Sequence, residues 1–493
     1  MIKKIAAVLM SGIIIANLVA CSGGTENAST PSSEPSSVVS DSSSQSTEQS
    51  SQENYGGDIA GTKGEAPEHP KTDSLWGAPQ NYTIVYAEAD AGMKALATKV
   101  QRWFSENYRC AIPITSDKSA EKELEILIGN TNRKESGKKA DGSYKVSVQG
   151  DKLVFDGYHS AIVEVGVNKF LEKNPKKNED LNGISGKISD FKTSMLGYDY
   201  VWGDEFATNE VDFSKWTFEA KMGEYADARI TTDRDVIDMR ADTLVLRSVK
   251  ETDYSYRKYD YKMPTSVVSQ RNMMFTYGYC EIKAKVPTAV ATWPSFWMQS
   301  STGVGERNCF NYFVEVDVFE IFGAGDAKLV PNLHKWYDSN RFNYGEIYNS
   351  KDNKGNYVNH TATGTTRSIK TNTIVKADAA YTYHTYGYEW TPTYISMYVD
   401  GVKYQTYDIT KSWDLEKDMS GFHDPQFVIF NNHLFTDTAD YIPTFSNGKQ
   451  ILIENNESSL SSEFIIDYYR LYQKKGQGKI WTDDAVYKTF MGR

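Results

Sequence analysis

Val314-Glu315-Val316-Asp317-Val318-Phe319-Glu320 decides how this 493-residue chain folds. Successive side chains of a β-strand point to opposite faces. Val314, Val316 and Val318 therefore share one face and can pack into a core, while Glu315 and Asp317 share the other. Glu320 lies five positions after Glu315, so a regular strand sends it to the apolar side. One β-bulge between Asp317 and Glu320 shifts the phase by a residue and brings it back. All three carboxyls then line one groove. Such a groove suits glycosidic cleavage with retention, which places a carboxylate nucleophile and a carboxylic acid roughly 5–5.5 Å apart. Like charges that close raise one pKa and keep one group protonated near neutral pH. Glu315 is assigned as nucleophile, Glu320 as acid/base and Asp317 as the residue that assists Glu315.

The acids alone carry little weight. With 65 Asp and Glu among 493 residues, a triple at these offsets is expected about once by chance. An edge strand charged against aggregation and a calcium-binding strand are competing readings. The Val-rich backing favours the groove, because a solvated acidic face seldom has it.

Working outward, residues 197–475 read as one β domain. Short alternating segments recur: Leu244–Leu246, Tyr279–Lys285, Tyr394–Val399, Phe427–Asn431 and Phe464–Tyr472. Asp400-Gly401 is a hairpin turn. Many short strands without intervening helices predict a β-sandwich. Residues 476–493 read as a C-terminal tail.

Residues 74–190 read differently. Thr83–Tyr86 is a strand. Met93, Leu96, Val100, Trp103 and Phe104 recur at helical spacing. Leu124, Ile126 and Ile128 alternate as a half-buried strand. Tyr144–Val148 and Leu153–Phe155 flank the turn Gln149-Gly150-Asp151. A second helix covers Ser160–Lys173. The order β-α-β-β-β-α predicts a small α+β sandwich. It is similar to the small domain that precedes the catalytic domain of some hexosaminidases and glucuronidases, where it performs no chemistry.

Residues 22–73 are dominated by Ser, and Ser22–Thr62 contain no Lys or Arg. They cannot bury enough apolar area to offset chain entropy, and read as a flexible linker. Residues 1–21 read as a signal peptide: Lys3 and Lys4 precede an uncharged stretch too short to span a bilayer. Leu18-Val19-Ala20-Cys21 resembles a bacterial lipobox, which implies acylation of Cys21 and a lipid anchor on the outer face of the cell membrane. Cys110, Cys280 and Cys309 remain, so at most one disulfide forms within the chain. The net charge of -11 argues against nucleic acid as a partner.

At the acidic strand the chain resembles glycoside hydrolase family 16, the jelly-roll endo-glycanases that include laminarinases, lichenases, agarases and carrageenases. The markers come in order. They are Val201–Phe206 with Asp212–Trp216, Tyr277–Pro287, Trp293-Pro294-Ser295-Phe296-Trp297-Met298, the acidic strand, Leu333-His334, Tyr388–Pro392, Tyr398–Gly401 and Asp467–Tyr472. Two residues before the last Glu mark the bulged, laminarinase-like form; lichenase-like and xyloglucan-acting members have one. The resemblance implies a mainly β jelly-roll sandwich and an endo-β-1,3-glucanase. It implies that Trp293, Trp297, His334, Trp336 and Asn431 contact the sugar, and that no cofactor is needed for catalysis. It also implies a structural calcium site at Asp467 with a backbone oxygen near Glu205. Val314 stands where laminarinases usually have Gly, and the loop Gly303–Asn311 lacks their Trp-Pro approach. An endo-hydrolase of β-galactans or host O-glycans is therefore an alternative, and a surface glycan-binding protein is the non-enzyme alternative. The expected partner is a polysaccharide or oligosaccharide, met by a monomer.

Overall fold

The structure, a computed structural model, describes residues 74–90, 92–219, 227–269, 272–300, 312–325, 328–337, 349–351, 357–359, 367–368, 382–410, 420–438 and 442–482. The signal and linker segments, Cys21 and Cys309 lie outside them, as does the side chain of Trp336. Among the described residues no helix is long and apolar enough to cross a membrane. Cys110 and Cys280 are free thiols.

A small α+β layer comes first. Its elements are β1 (Thr83–Tyr86), α1 (Met93–Tyr108), β2 (Ile114–Ser116), β3 (Glu125–Ile128), β4 (Ser143–Gln149), β5 (Lys152–Gly157), α2 (Ser160–Lys173) and β6 (Ser185–Lys187). The strand order is β2-β1-β3-β5-β4-β6. β1, β2, β3 and β5 run parallel, and β4 runs antiparallel to both neighbours. The sequence pattern had no place for β2 and β6, which are three residues each and too short to show a period of two. β3 is not half-buried as its alternation suggested; all four residues are buried. Ile126 and Ile128 pack in the core with both helices, and Leu127 packs on the other face with Val85 and Val154.

The sandwich follows as β7 (Tyr198–Asp204), β8 (Thr217–Glu219), β9 (Ala228–Thr231), β10 (Ile237–Arg240), β11 (Thr243–Leu246), β12 (Val249–Lys250), β13 (Tyr261–Pro264), β14 (Ser266–Val268), β15 (Met273–Thr276), β16 (Gly278–Lys285), β17 (Thr292–Ser300), β18 (Tyr312–Glu320), β19 (Lys328–Tyr337), β20 (His384–Trp390), β21 (Tyr394–Val399), β22 (Val402–Asp408), β23 (Gln426–Leu434), β24 (Phe464–Gln473) and β25 (Lys479–Thr482). The outer sheet has the order β10-β11-β24-β16-β20-β21-β22, with β7 also on β24. The acid-bearing sheet has the order β19-β18-β17-β23-β14-β8, and β15 joins β23 to β25. β9, β13 and β12 make a small third sheet. The span read as a tail thus begins with a strand: Lys479–Thr482 finds its partner in β15, some two hundred residues earlier, which no local pattern reveals.

One apolar core fills the space between the two large sheets. Phe296, Met298, Val316, Val318, Val428 and Phe430 meet Leu244, Leu246, Ile282, Tyr388, Ile466 and Tyr469 there. The turn at Asp400-Gly401 has φ of 49° and 73°, the double positive φ of a type I′ hairpin, and closes β21 onto β22.

The small layer packs on the outer sheet through charged and aromatic contacts. Lys99 meets Asp212 at 2.7 Å, and Lys215 meets Glu164 at 2.8 Å. The His159 and Tyr200 rings meet edge to face at 5.1 Å. Phe191 lies against Tyr200 at 5.4 Å.

Candidate active site

β18 is central to the acid-bearing sheet, flanked by β17 and β19. Val314, Val316 and Val318 are fully buried, as the alternation requires. Val318 and Phe319 are consecutive, yet both enter the core. That doubled inward step is the bulge. Against β19 the register slips between Asp317 and Glu320: Asp317 lies opposite Asn332, and Glu320 opposite Val330. Glu315, Asp317 and Glu320 consequently share one face. The Tyr404 hydroxyl, reaching across from β22, donates to the Val318 carbonyl. A carbonyl at the bulge thereby gains a partner from the opposite sheet.

The register sets three rows of side chains across the strands. Asn431, Ser295 and Glu320 follow one another from β23 to β18. Ile429, Trp297, Asp317 and Asn332 form the next row, and Phe427, Gln299, Glu315 and His334 the third. The floor around the acids is thus built from four neighbouring strands.

Trp293 Nε1 donates to Glu320 Oε1 at 2.9 Å, and its ring stacks on Phe435 at 4.5 Å and 17°. Trp297 Nε1 donates to Asn431 Oδ1 at 2.6 Å. That bond fixes the amide orientation, and Asn431 Nδ2 has no hydrogen-bond partner among the described residues. His334 lies opposite Glu315, with Nε2 3.2 Å from Asp317 Oδ2. Of the five residues expected to contact sugar, Trp293, Trp297, His334 and Asn431 therefore gather on the acids. Trp336 is on β19 opposite Phe313, with its side chain outside the described residues.

Burial dominates the electrostatics. It pushes the Asp317 carboxyl up to about 8, against the opposing effect of its hydrogen bond with Glu315. Burial also drives Glu320 well above the usual carboxylate range, and the charges of Asp317 and Glu315 add to the rise. His334 and the Trp293 hydrogen bond oppose it. Burial thus favours the protonated form of Glu320, the form that can give a proton, and at neutral pH Asp317 holds one to share with Glu315. Oxygen and nitrogen atoms of Glu315, Asp317 and His334 all lie within 4.8 Å of one another. A buried imidazole and a protonated carboxyl make poor ligands for calcium, which takes ionised and neutral oxygens. The arrangement suits proton handling better than calcium binding.

The two acids expected at a calcium site meet cations of the chain. Both Glu205 oxygens accept from Arg470, at 2.7 Å each. Lys283 bridges Asp467 and Asp190 at 2.7 Å each, and Arg470 reaches Asp190 Oδ1 at 3.3 Å. The charges alternate along Glu205, Arg470, Asp190, Lys283 and Asp467. The positive charge between these carboxylates comes from Arg470 and Lys283. Asp190 belongs to the segment after β6, so the sandwich strands alone could not disclose it. Tyr404 was missed for a related reason, since a lone Tyr on a distant strand carries no local signal.

The model of the glycosyl hydrolases family 16 matches residues 224–430. A β-glucanase of Rhodothermus marinus is 25% identical over 302 residues, covering 59% of this chain and 91% of that protein. Glucan endo-1,3-β-glucosidase A1 of Niallia circulans is 22% identical over 303 residues, covering 57% of this chain and 39% of that one. The laminarinase catalytic domain of Thermotoga maritima superposes with a TM-score of 0.40 at 19% identity, covering 56% of this chain and 98% of that domain. Residues 224–430, the part of the chain that matches this family's model, contain the bulged acidic strand Tyr312–Glu320.

Proposed function

We propose that this protein is a retaining endo-β-glycanase acting on a β-1,3-linked glucan. The observation that carries the proposal is the bulge, which puts Glu315, Asp317 and Glu320 on one face while burial favours the protonated form of Glu320. Glu315 attacks the anomeric carbon, and Glu320 gives its proton to the departing oxygen. The glycosyl–Glu315 ester that forms is then opened by water, with Glu320 now taking the water's proton. Asp317 donates to Glu315, holding its carboxylate in position and stabilising it again as the ester is released. Trp293 and His334 set how tightly Glu320 holds its proton. No step requires a cofactor. The similar proteins from R. marinus and N. circulans support the choice of glucan.

The test is a screen against laminarin, lichenan, agarose, carrageenan and mucin, followed by proton NMR of the first products on the best of them. Release of the β-anomer from laminarin is expected. Immediate α-anomer would exclude retention, and cleavage of agarose or mucin in place of laminarin would overturn the glucan. Hydrolysis of none would favour the glycan-binding alternative.

We propose further that the protein works as a monomer at the outer face of the membrane, held by lipid at Cys21. The lipobox-like Leu18–Cys21 and the Ser-rich linker support this. Labelled palmitate should enter the full-length chain and not its Cys21→Ser variant; equal labelling of both would sink the anchor.

A further inference from the structure

For Asp317 to hold Glu315, its proton must sit on the oxygen that faces Glu315. The two oxygens of a carboxyl are alike, so a neighbour has to make them differ. Asp317 is buried and shares a hydrogen bond with Glu315. Its Oδ2 is buried and makes no hydrogen bond among the described residues. The bond to Glu315 therefore runs through Oδ1. His334 Nε2 comes within 3.2 Å of Oδ2 without closing a hydrogen bond. A buried acceptor left without a donor carries the full cost of its desolvation.

Asn332 lies directly opposite Asp317 in the register of β18 and β19. Cross-strand neighbours share a face and hold their Cβ atoms about 4.5–5.5 Å apart, close enough for an amide to reach a carboxyl. Asn332 is half-buried, and its Oδ1 is buried with no partner among the described residues. Two buried acceptors thus stand on facing residues, and neither has a donor. Half a turn of the Asn332 amide exchanges Oδ1 for Nδ2. Nδ2 can then donate to Asp317 Oδ2, and both deficits close without moving the backbone. The other neighbours do not supply this donor. Glu315 and Glu320 on the same strand are acids. On β17 Trp297 faces Asp317, and its indole N–H is committed to Asn431. β19 adds the His334 imidazole beside Asn332.

We propose that Asn332 is a positioning residue: its amide donates to Asp317 Oδ2, keeps that oxygen unprotonated, and so confines the proton to Oδ1, where it faces Glu315. The proposal rests on the glycanase reading and deepens it, giving the assisting acid a support on the next strand. A proton on Oδ2 would point away from the nucleophile. Glu315 would then lose a hydrogen bond that favours its charged form.

The experiment uses full-length wild type, Asn332→Leu, Asn332→Ala and Asp317→Asn. The first measurement is kcat/KM against pH on the best substrate. Glu315 attacks only as a carboxylate, so the acidic limb reports its pKa. Without the Asn332 amide, Asp317 holds Glu315 less well, and the limb should move up by about 0.5–1 pH unit in both Asn332 variants. A raised KM with the limb unmoved would make Asn332 a sugar contact and overturn the proposal. An unmoved limb with a lowered melting temperature would make it a packing residue and overturn it equally. The second measurement needs no substrate. Infrared spectra across pH follow the C=O stretch of the protonated carboxyl that is missing in Asp317→Asn. A donor to Oδ2 favours the ionised form, so Asn332→Leu should raise that midpoint, and an unchanged midpoint would overturn the proposal. If wild type hydrolyses no polysaccharide, the glycanase reading falls, and the infrared midpoint still decides whether Asn332 serves Asp317.

Discussion

At Glu320 two neighbours pull the proton affinity down against burial: His334 by charge and Trp293 by its indole N–H. As the proposed acid, Glu320 works only while protonated, so the rate must fall as pH rises through its pKa. Replacing Trp293 by Phe removes a bond that favours the ionised form. The alkaline limb of kcat/KM should then move to higher pH, and a shift to lower pH would contradict the assignment. Glu320→Gln should lower kcat by about 10²–10⁴-fold, the usual contribution of a positioned acid. Glu315→Gln should abolish turnover of the best substrate; full retained activity would remove it as nucleophile. The identities of these residues were legible in the chain, because alternation assigns faces before any coordinates exist. Their protonation was not, since it depends on how deeply Asp317 and Glu320 are buried. The Trp293 bond was not legible either. The sequence marked Trp293 as a sugar platform, whereas the structure also ties it to Glu320.

At the scale of the element, the bulge was foreseeable from a spacing of five between Glu315 and Glu320. What holds it was not. Tyr404 comes from the other sheet, 86 residues from Val318, and its hydroxyl reaches that carbonyl through the core. Tyr404→Phe should cost about 1 kcal/mol of stability, the net worth of one buried hydrogen bond. It should also lower kcat, because Glu320 hangs on the bulge; thermal melts and initial rates on one preparation check both. A variant as active and as stable as wild type would show that the strand keeps its shape unaided. β25 escaped notice for the reason β2 did. A strand of three or four residues is defined by its partner, and Met273–Thr276 is far away in sequence. The two long strands β17 and β23 were marked only in part by their hydrophobic runs. Buried on both faces, they lose the alternation that identifies a strand.

Across the whole molecule, the joint between the α+β layer and the sandwich is electrostatic at its centre. Arg470 is 1% exposed, stacks over Tyr468 at 3.5 Å, and serves both Glu205 and Asp190. Removing one partner of a buried pair strands the others, typically at about 3–5 kcal/mol. Arg470→Met should lower the melting temperature sharply, and Asp190→Asn less so. A chelator should leave the wild-type melt unchanged, whereas a drop on chelation restored by calcium would show that a metal contributes after all. Asp190 titrates below its ordinary range: burial alone would raise it, but the hydrogen bond from Lys283 and the charge of Arg470 prevail. Asp212 is likewise held low: burial opposes, and the charges of Lys99 and Lys215 outweigh it. Carboxyls depressed by folding stabilise the native state above their unfolded pKa of 3.8, and that stability drains away as pH falls through the folded values. Acid should therefore loosen this joint, seen as a melting temperature that falls steeply below pH 4 in wild type and more gently in Asp190→Asn.

The bulge has a meaning at the level of the gene. Deleting one codon, that of Val318 or Phe319, would leave acids at every second position, and a flat strand would display all three without any irregularity. The groove would keep its charges and lose the displacement between them, since one residue of strand spans about 3.3 Å. A frame-preserving loss of three nucleotides could thus carry this cleft toward the geometry of the single-residue spacing while leaving every catalytic side chain in place. Turnover by such a deletion variant would measure how much of catalysis the bulge itself supplies.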